Sequence, residues 1–136
     1  MRNIIHDNNN ILNFDDITVS IENKVLFQKD GSPFSTTFND IYFDTKEGCR
    51  QSEQVFIKSN DLANRLPEVK EEFTIAETGF GTGLNFLLTL ALYQSLFDER
   101  VENNNKTPTL NYITVEKYPL TKDQIEQSLS MWPMLS

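Results

Sequence analysis

Hydrophobic and polar residues alternate along the first part of the chain. Apolar side chains recur at every second position at Ile17, Val19 and Ile21, and a further apolar run, Val25–Phe27, follows a short polar stretch. This period of two is typical of half-buried strands and predicts a β-hairpin that ends at Phe27. Residues 1–13 are polar and rich in asparagine, and we expect them to form a flexible tail.

Two short apolar runs follow, and their pattern leaves their structure open. Ile41–Phe43 and Val55–Ile57 each lie between polar residues, so each is compatible with a strand or with a buried loop. Beyond them, Ser59 and Asn60 are residue types that cap helices. They predict a short helix that ends at Pro67.

The second half of the chain changes to an alternation of strands and helices. Phe73–Ala76 and Leu110–Val115 are apolar runs of the kind found in buried parallel strands. Between them, Leu84–Phe97 is apolar on nearly every side, which predicts a helix packed against a sheet. Thr121 and Gln124 have the spacing of a capping box that opens a final helix. Strand, helix, strand, helix indicates an α/β fold with a parallel sheet.

Composition narrows the class of protein. Of 136 residues, 38% are hydrophobic and ten are phenylalanine, so one domain with a core can form. The net charge of −8 repels a phosphate backbone, and no run of Lys and Arg supplies a basic patch. Cys49 is the only cysteine, which fits a reducing compartment. The longest apolar segment is shorter than the roughly 20 residues of a membrane span, so we expect a cytoplasmic protein without membrane contact.

The residues most informative about chemistry are Glu77-Thr78-Gly79-Phe80-Gly81-Thr82-Gly83, at the junction of the first parallel strand and the next helix. Glycines there permit positive φ angles and let a ligand approach the backbone. A P-loop is excluded, because it needs a lysine after its last glycine and no lysine occurs between Phe73 and Phe97. The spacing is G-x-G-x-G, whereas dinucleotide folds prefer G-x-G-x-x-G. His6, the single histidine, stands apart from other metal ligands, and the sequence predicts no metal site.

Charge indicates which ligand fits this glycine loop. The carboxylate of Glu77, two residues before the first glycine, repels a pyrophosphate and attracts a cation. S-adenosylmethionine has no phosphate and carries a sulfonium and an ammonium group, so it fits better than NAD. Glu116, at the end of the second parallel strand, is placed to accept hydrogen bonds from ribose hydroxyls. This acid indicates an adenosine-type ligand and does not by itself distinguish NAD from S-adenosylmethionine.

The segment Glu77–Phe86 strongly resembles the signature of one family, the methyltransferase domain of the bifunctional tRNA 5-methylaminomethyl-2-thiouridine biosynthesis protein. Other pieces match that family in the same order, namely Phe38–Phe43, Val55–Ile57, Asn60 with Leu62 and Arg65, Glu116–Thr121, and Trp132-Pro133. The resemblance implies a Rossmann-like class I S-adenosylmethionine-dependent methyltransferase fold. Residues 14–136 are then expected to be the N-terminal half of that domain. The predicted β-hairpin that ends at Phe27 is expected to be an N-terminal extension of it.

The resemblance also implies a function, the transfer of a methyl group from S-adenosylmethionine to 5-aminomethyl-2-thiouridine, the wobble uridine of certain tRNAs. The expected cofactor-binding residues are Tyr42, Phe43, Asn60, Glu77, Gly79, Gly81, Gly83 and Glu116. Among them, the glycines match the family's glycine loop and Glu116 its ribose-binding acid. The reaction is an in-line displacement by a neutral amine, which asks mainly for alignment of the reacting atoms. No residue is assigned as a catalytic base.

The chain departs from the family pattern at several positions. Lys58-Ser59 stand where the family usually has two glycines, and Gln51 and Gln54 stand where it often has an acidic and an aromatic residue. The Asp-Gly-Phe-x-Pro motif that lines the family's catalytic pocket, and the oxidoreductase domain that uses FAD, have no counterpart in this sequence. We therefore expect the chain alone to be inactive and poorly stable or oligomeric. Its expected partners are tRNA, contacted through parts that the chain lacks, and an FAD-dependent oxidoreductase domain.

Two other functions stay open at this point. A degenerate or truncated copy would keep the fold signature without activity, and a nicotinamide-dependent oxidoreductase domain would use the same strand-end acid for its ribose. Binding of S-adenosylhomocysteine or of NAD separates these possibilities.

Overall fold

Three small β-sheets and four α-helices make up the part of the chain that the computed structural model describes, residues 4–7, 10–13, 25–102 and 106–132. The first two sheets are antiparallel and are formed by β1 (Ile4–Asp7) with β2 (Asn10–Asn13), and by β3 (Val25–Phe27), β4 (Pro33–Ser35) and β5 (Asp40–Ile41). The third sheet is parallel and consists of β6 (Glu72–Thr78) and β7 (Thr109–Val115). The protein is therefore of the α/β type.

The helices fall into a short group before the parallel sheet and two longer ones around it. The short group consists of α1 (Gly48–Ser52), a π-helical turn (Glu53–Lys58), α2 (Leu62–Arg65) and a 3₁₀ turn (Leu66–Glu68). The two longer helices are α3 (Leu84–Glu102), which connects β6 to β7, and α4 (Lys122–Leu129), which follows β7. Within the described residues, no helix is both long and apolar enough to span a membrane.

The N-terminal strands differ from the expected pattern. The predicted strand over Ile17–Ile21 lies outside the described residues, and Val25–Phe27 instead pairs with β4. The connection turns at Gly31, whose φ is +88° and whose N–H donates to the Gln28 carbonyl at 2.9 Å. Strands β1 and β2 lie within the segment predicted as a flexible tail. Their composition did not indicate them, because neither has the apolar alternation on which a strand prediction depends.

The two ambiguous apolar runs take different structures. Strand β5 ends at Ile41, and Phe43 is buried in the loop beyond it. The run Val55–Ile57 is neither strand nor loop but part of the π-helical turn. In that run Ile57 is buried, Phe56 is partly buried against the main core and Val55 is exposed, so its apolar composition reflects the inward side of the turn rather than a buried strand.

The predicted helix ending at Pro67 exists, although its predicted caps were wrong. The Ser59 hydroxyl donates to the Gln54 carbonyl at 2.9 Å, and the Asn60 amide donates to the Phe56 carbonyl at 2.8 Å. Both side chains therefore satisfy carbonyls at the end of the preceding π-helical turn and leave the next helix uncapped. Pro67 lies inside the 3₁₀ turn, where its missing N–H is tolerated.

The predicted strand–helix–strand–helix unit is confirmed. Strands β6 and β7 pair in parallel with Ile75 opposite Tyr112, and Thr121 and Gln124 make both bonds of the capping box. The main core lies between this sheet and α3, and its buried members are Ile57, Leu62, Leu66, Ile75 and Phe97. A second buried cluster consists of Phe43, Leu84 and Trp132. In it, the ring centroids of Phe43 and Trp132 lie 4.7 Å apart.

One face of the parallel sheet is covered and the other is not. On the covered face, Phe73, Ile75, Leu110 and Tyr112 pack in the main core. On the opposite face, Ile113 and Val115 are 57% and 63% exposed. Parallel sheets are normally covered on both faces, and here Ile113 and Val115 of β7 are left exposed on the second face.

Candidate functional site

The glycine loop is a tight bend between β6 and α3. Gly79, Gly81 and Gly83 have φ angles of +79°, +54° and +80°, a region that residues with a Cβ rarely adopt. The Gly79 N–H donates to the Val115 carbonyl at 2.8 Å, and the Gly83 N–H donates to the Phe80 carbonyl at 2.9 Å. The prediction that these glycines permit positive φ angles is confirmed.

The space around the three glycines differs. A Cβ on Gly83 would lie 2.7 Å from Cζ of Phe80, which is closer than real Cβ atoms approach other atoms. A Cβ on Gly81 would lie 3.4 Å from the Tyr42 ring, and one on Gly79 would meet nothing within 4 Å. Position 83 therefore requires glycine for two reasons, its positive φ and the lack of space for a Cβ. Position 79 requires glycine for its positive φ alone.

Glu116 connects the end of β7 to this loop. Its Oε2 accepts a hydrogen bond from the Gly81 N–H at 3.1 Å, and its Oε1 accepts one from the Tyr118 N–H at 2.8 Å. A carboxylate bound by backbone N–H groups is held in one orientation, and such charge-assisted bonds are stronger than neutral ones. The acid predicted to bind ribose thus lies directly against the middle glycine of the loop.

A cavity of about 330 Å³ opens beside the glycine loop. Its wall includes Gly79, Phe80, Gly81 and Thr82 from the loop and Leu84 and Asn85 from the start of α3. The opposite wall comes from the N-terminal part of the chain and contains Tyr42, Phe43, Gly48, Gln51, Ser52, Val55 and Phe56. The loop that follows β5, helix α1 and the π-helical turn therefore close over the carboxyl end of β6, which is where ligands bind in open α/β sheets.

Close packing on the N-terminal side sets the shape of this cavity. A Cβ on Gly48 would lie 2.9 Å from Cβ of Phe43, so glycine lets α1 approach Phe43 closely. Burial raises the pKa of the neighbouring Cys49 thiol, with a smaller contribution from Glu53. That cysteine is therefore mainly a neutral thiol at pH 7 and a poor nucleophile.

Glu77 lies behind Asn85 rather than on the cavity wall. Its Oε1 accepts a hydrogen bond from Nδ2 of Asn85 at 2.8 Å, and its Oε2 accepts one from the Tyr112 hydroxyl at 2.9 Å. Of the three bonded residues Glu77, Asn85 and Tyr112, Asn85 is the one that lines the cavity. Direct contact between Glu77 and a ligand, as the sequence suggested, thus requires a ligand that reaches past Asn85.

The chain matches no protein-family model. It is 43% identical over 109 residues to the tRNA 5-methylaminomethyl-2-thiouridine biosynthesis bifunctional protein MnmC of Marinomonas sp. (strain MWYL1), a match that covers 79% of this chain and 15% of that protein. It is 38% identical over 122 residues to the MnmC of Pseudomonas savastanoi pv. phaseolicola, covering 88% of this chain and 17% of that protein.

A third relative agrees with these two. The MnmC of Legionella pneumophila (strain Lens) is 41% identical over 112 residues, covering 79% of this chain and 16% of that protein. The chain therefore matches an MnmC-type fragment. It spans about one sixth of the length of the curated MnmC proteins that it matches.

The match to MnmC includes the site described above. A match that covers 88% of 136 residues contains both the glycine loop and Glu116, wherever it begins. The resemblance suggested by Glu77–Phe86 and Glu116–Thr121 is therefore confirmed.

Asn60 is the predicted site residue that the structure places elsewhere. It is exposed and lines a separate recess of about 180 Å³ with Arg65, Phe73 and Ala76. Of the other predicted residues, Tyr42, Phe43, Gly79 and Gly81 line the cavity beside the loop. Gly83 and Glu116 do not line the cavity. Gly83 ends the loop beside the Phe80 ring, and Glu116 accepts a hydrogen bond from the Gly81 N–H.

Sequence reasoning missed Asn85 as a residue of the site. It is the first polar residue of α3 and follows the last glycine by two positions. Before Gln94, the polar residues of α3 are Asn85 and Thr89. An amide in such an apolar stretch was a usable signal, because polar side chains are costly there without a partner.

The Tyr112 hydroxyl is expected to make stability depend on pH in the alkaline range. Burial, with smaller contributions from the hydrogen bond to Glu77 and from its charge, raises the pKa of Tyr112 above the ordinary value of 10.0. The unfolded chain then loses this proton before the folded chain does, so the stabilisation is complete below pH 10 and is lost above it. In urea unfolding at pH 8 and at pH 11, Tyr112→Phe should lose less stability over this interval than the unchanged protein. An equal loss in both would show that Tyr112 does not contribute.

Proposed function

We propose that this chain is the S-adenosylmethionine-binding half of a class I methyltransferase domain that serves tRNA wobble-uridine modification. The observation that carries the proposal is the glycine loop, in which three glycines with positive φ bend around a cavity while Glu116 holds the Gly81 N–H. The residues that would hold the cofactor are those of the loop, Glu116 for the ribose, and Tyr42, Phe43 and Asn85 on the cavity wall. When bound, the cofactor supplies an activated methyl group.

Charge around the loop favours S-adenosylmethionine over a dinucleotide. A pyrophosphate binds to loop N–H groups and to a helix N-terminus, and here the Gly81 N–H is already donated to a carboxylate. A second carboxylate, Glu77, lies two residues before the loop. Two negative charges so close to the bend repel a diphosphate and stabilise a sulfonium or an ammonium group.

The names of the relatives support a substrate class. The matched proteins are named for tRNA 5-methylaminomethyl-2-thiouridine biosynthesis, and a methylaminomethyl group arises by methylation of an aminomethyl group. The bound cofactor would supply its methyl group to the neutral amine nitrogen and would be released as S-adenosylhomocysteine, and the amine would lose a proton to water. The chain's own residues contribute alignment and the exclusion of anions.

Calorimetric titration with S-adenosylhomocysteine and with NAD tests the proposal. We expect the chain to bind S-adenosylhomocysteine and to bind NAD at least tenfold more weakly. Tighter binding of NAD would replace the proposal with a nicotinamide-dependent oxidoreductase domain. Binding of neither would identify a copy that keeps the fold without the activity.

Glu116→Gln is expected to weaken S-adenosylhomocysteine binding about tenfold or more. Glutamine keeps only one acceptor oxygen, so one of the Gly81 and Tyr118 N–H groups loses its partner, and the charge-assisted bonds to the ribose are also lost. Hydrogen bonds to charged groups contribute about 1.5–3 kcal/mol, and each 1.4 kcal/mol corresponds to a factor of about ten in affinity.

The matched control for this prediction is Glu126→Gln. Glu126 is exposed on α4 and pairs with Lys122 at 3.3 Å, so this variant removes the same charge away from the site. We expect its affinity to change by less than about twofold, because exposed ion pairs contribute little. If both variants bind equally well, Glu116 does not hold the ribose.

A further inference from the structure

A hydrogen-bonded row of three side chains runs from the parallel sheet to the cavity. The Tyr112 hydroxyl donates to Glu77, and Glu77 accepts a second bond from the Asn85 amide, at 2.9 and 2.8 Å. These residues come from β7, β6 and α3 respectively. The row therefore crosses the covered face of the sheet and ends at the only one of the three that lines the cavity beside the glycine loop.

The carboxylate in the middle of this row is engaged at both oxygens. Each oxygen of Glu77 accepts from a neutral donor, so the negative charge of the group is not cancelled by an ion pair in this row. Its donor on the sheet side stays protonated at neutral pH, since burial and the bond to Glu77 raise the pKa of Tyr112. The arrangement fixes the position of the carboxylate and leaves its charge acting on whatever lies beyond Asn85.

The same row fixes which end of the Asn85 amide is available to a ligand. Its Nδ2 donates to Glu77, and an asparagine side chain has one nitrogen, a donor, and one oxygen, an acceptor. Flipping the amide would set its oxygen against the carboxylate oxygen of Glu77, which is repulsive. Oδ1 of Asn85 takes no part in the row, so the amide keeps this oxygen as the acceptor that it can present to a ligand in the cavity.

The two ends of the glycine loop then differ in what they recognise. Glu116 meets the loop at Gly81 on the β7 side, where the proposed function places the ribose. Asn85 stands beyond the last glycine, in the first turn of α3. An acceptor oxygen with a fixed carboxylate behind it suits a cationic donor with several N–H groups rather than an anion or an apolar group.

We propose that Asn85 accepts a hydrogen bond from the ammonium group of the bound adenosyl ligand, and that Glu77 and Tyr112 are positioning residues that hold the Asn85 amide for this contact. The inference rests on the proposed function and deepens it. Glu77 then attracts the cation through Asn85 instead of touching it.

The test compares two ligands that differ only in the ammonium group. Affinities of the full chain are measured by calorimetry for S-adenosylhomocysteine and for its analogue without the amino group. We expect the unchanged protein to prefer S-adenosylhomocysteine about tenfold or more. Asn85→Ala should bring this preference close to one, and Tyr112→Phe, which alters no residue of the cavity wall, should reduce it severalfold.

One control variant and one conservative test variant make the outcome specific. Asn111→Ala removes another asparagine amide that donates to a glutamate, Glu72 at 3.2 Å, on the uncovered face of the sheet, and it should leave the preference unchanged. Tyr112→Phe is conservative and keeps the ring packing against Phe86, so it tests the row even if Asn85→Ala does not fold.

Each possible result decides the question. If Asn85→Ala and Tyr112→Phe weaken both ligands by the same factor, the row only stabilises the fold and the inference is wrong. A protein that binds both ligands equally well from the start also overturns it, while the proposed function stands. If the unchanged protein binds neither ligand, the proposed function itself fails.

Discussion

Replacing Gly83 by alanine is expected to abolish measurable S-adenosylhomocysteine binding or to weaken it at least tenfold, and to lower the free energy of unfolding by about 3 kcal/mol. Two costs add up at this position. Its φ of +80° strains any residue with a Cβ, at about 1–2 kcal/mol, and the new Cβ would lie 2.7 Å from the Phe80 ring. Moving that ring costs about 1–3 kcal/mol more and shifts a residue of the cavity wall. Urea unfolding and calorimetry measure the two effects.

Gly79→Ala is the matched control, since it carries only the first of these costs. Its φ is +79°, almost the same as that of Gly83, but a Cβ there meets nothing within 4 Å. We expect Gly79→Ala to lose about 1–2 kcal/mol of stability and less affinity than Gly83→Ala. Equal losses of stability in the two variants would mean that the Phe80 ring moves aside without cost.

Phe97→Ala should have the largest effect on stability, a loss of about 3–5 kcal/mol. Phe97 is 1% exposed in the main core, beside Leu66 and Ile75, and its ring lies 4.8 Å from that of Tyr93. Since small domains are stable by only about 5–15 kcal/mol, the variant should be largely unfolded or strongly sensitive to heat. Thermal unfolding followed by circular dichroism measures this effect.

Phe38→Ala makes the same chemical change at the surface. Phe38 is 56% exposed, and its ring centroid lies 5.2 Å from that of Tyr118 in a T-shaped arrangement. Because an aromatic pair contributes about 0.5–1.5 kcal/mol, we expect a loss of about 1 kcal/mol. Comparable losses at Phe38 and Phe97 would show that the core between α3 and the parallel sheet does not dominate stability.

The parts of the fold that could be predicted are those in which local pattern and tertiary structure agree. The apolar runs at Phe73–Ala76 and Leu110–Val115 became parallel strands, and the capping box at Thr121 formed as its spacing indicates. The glycine loop followed from the same logic, because only glycine takes up such a bend without strain. In these segments each residue's own preference specifies its structure.

Prediction failed where tertiary contacts decide the local structure. Nothing in Val55–Ile57 itself distinguishes a strand from the π-helical turn that forms, and this turn lies against the cavity. Ser59 and Asn60 lie between the π-helical turn and α2. Their side chains donate to carbonyls of the turn instead of accepting from N–H groups of α2. The role of Asn85 depends on Glu77 and Tyr112, which meet it only after the sheet has formed.

The bonds that Val115 and Glu116 make to the glycine loop have a thermodynamic consequence for ligand association. Gly79 and Gly81 are anchored to the end of β7 by the protein itself, so the bend is pre-organised and a ligand does not need to order it. The entropy cost of ordering that backbone belongs to folding and not to binding. A substitution that frays the end of β7 will therefore transfer this cost to the ligand and lower its affinity, even where every residue that contacts the ligand keeps its identity.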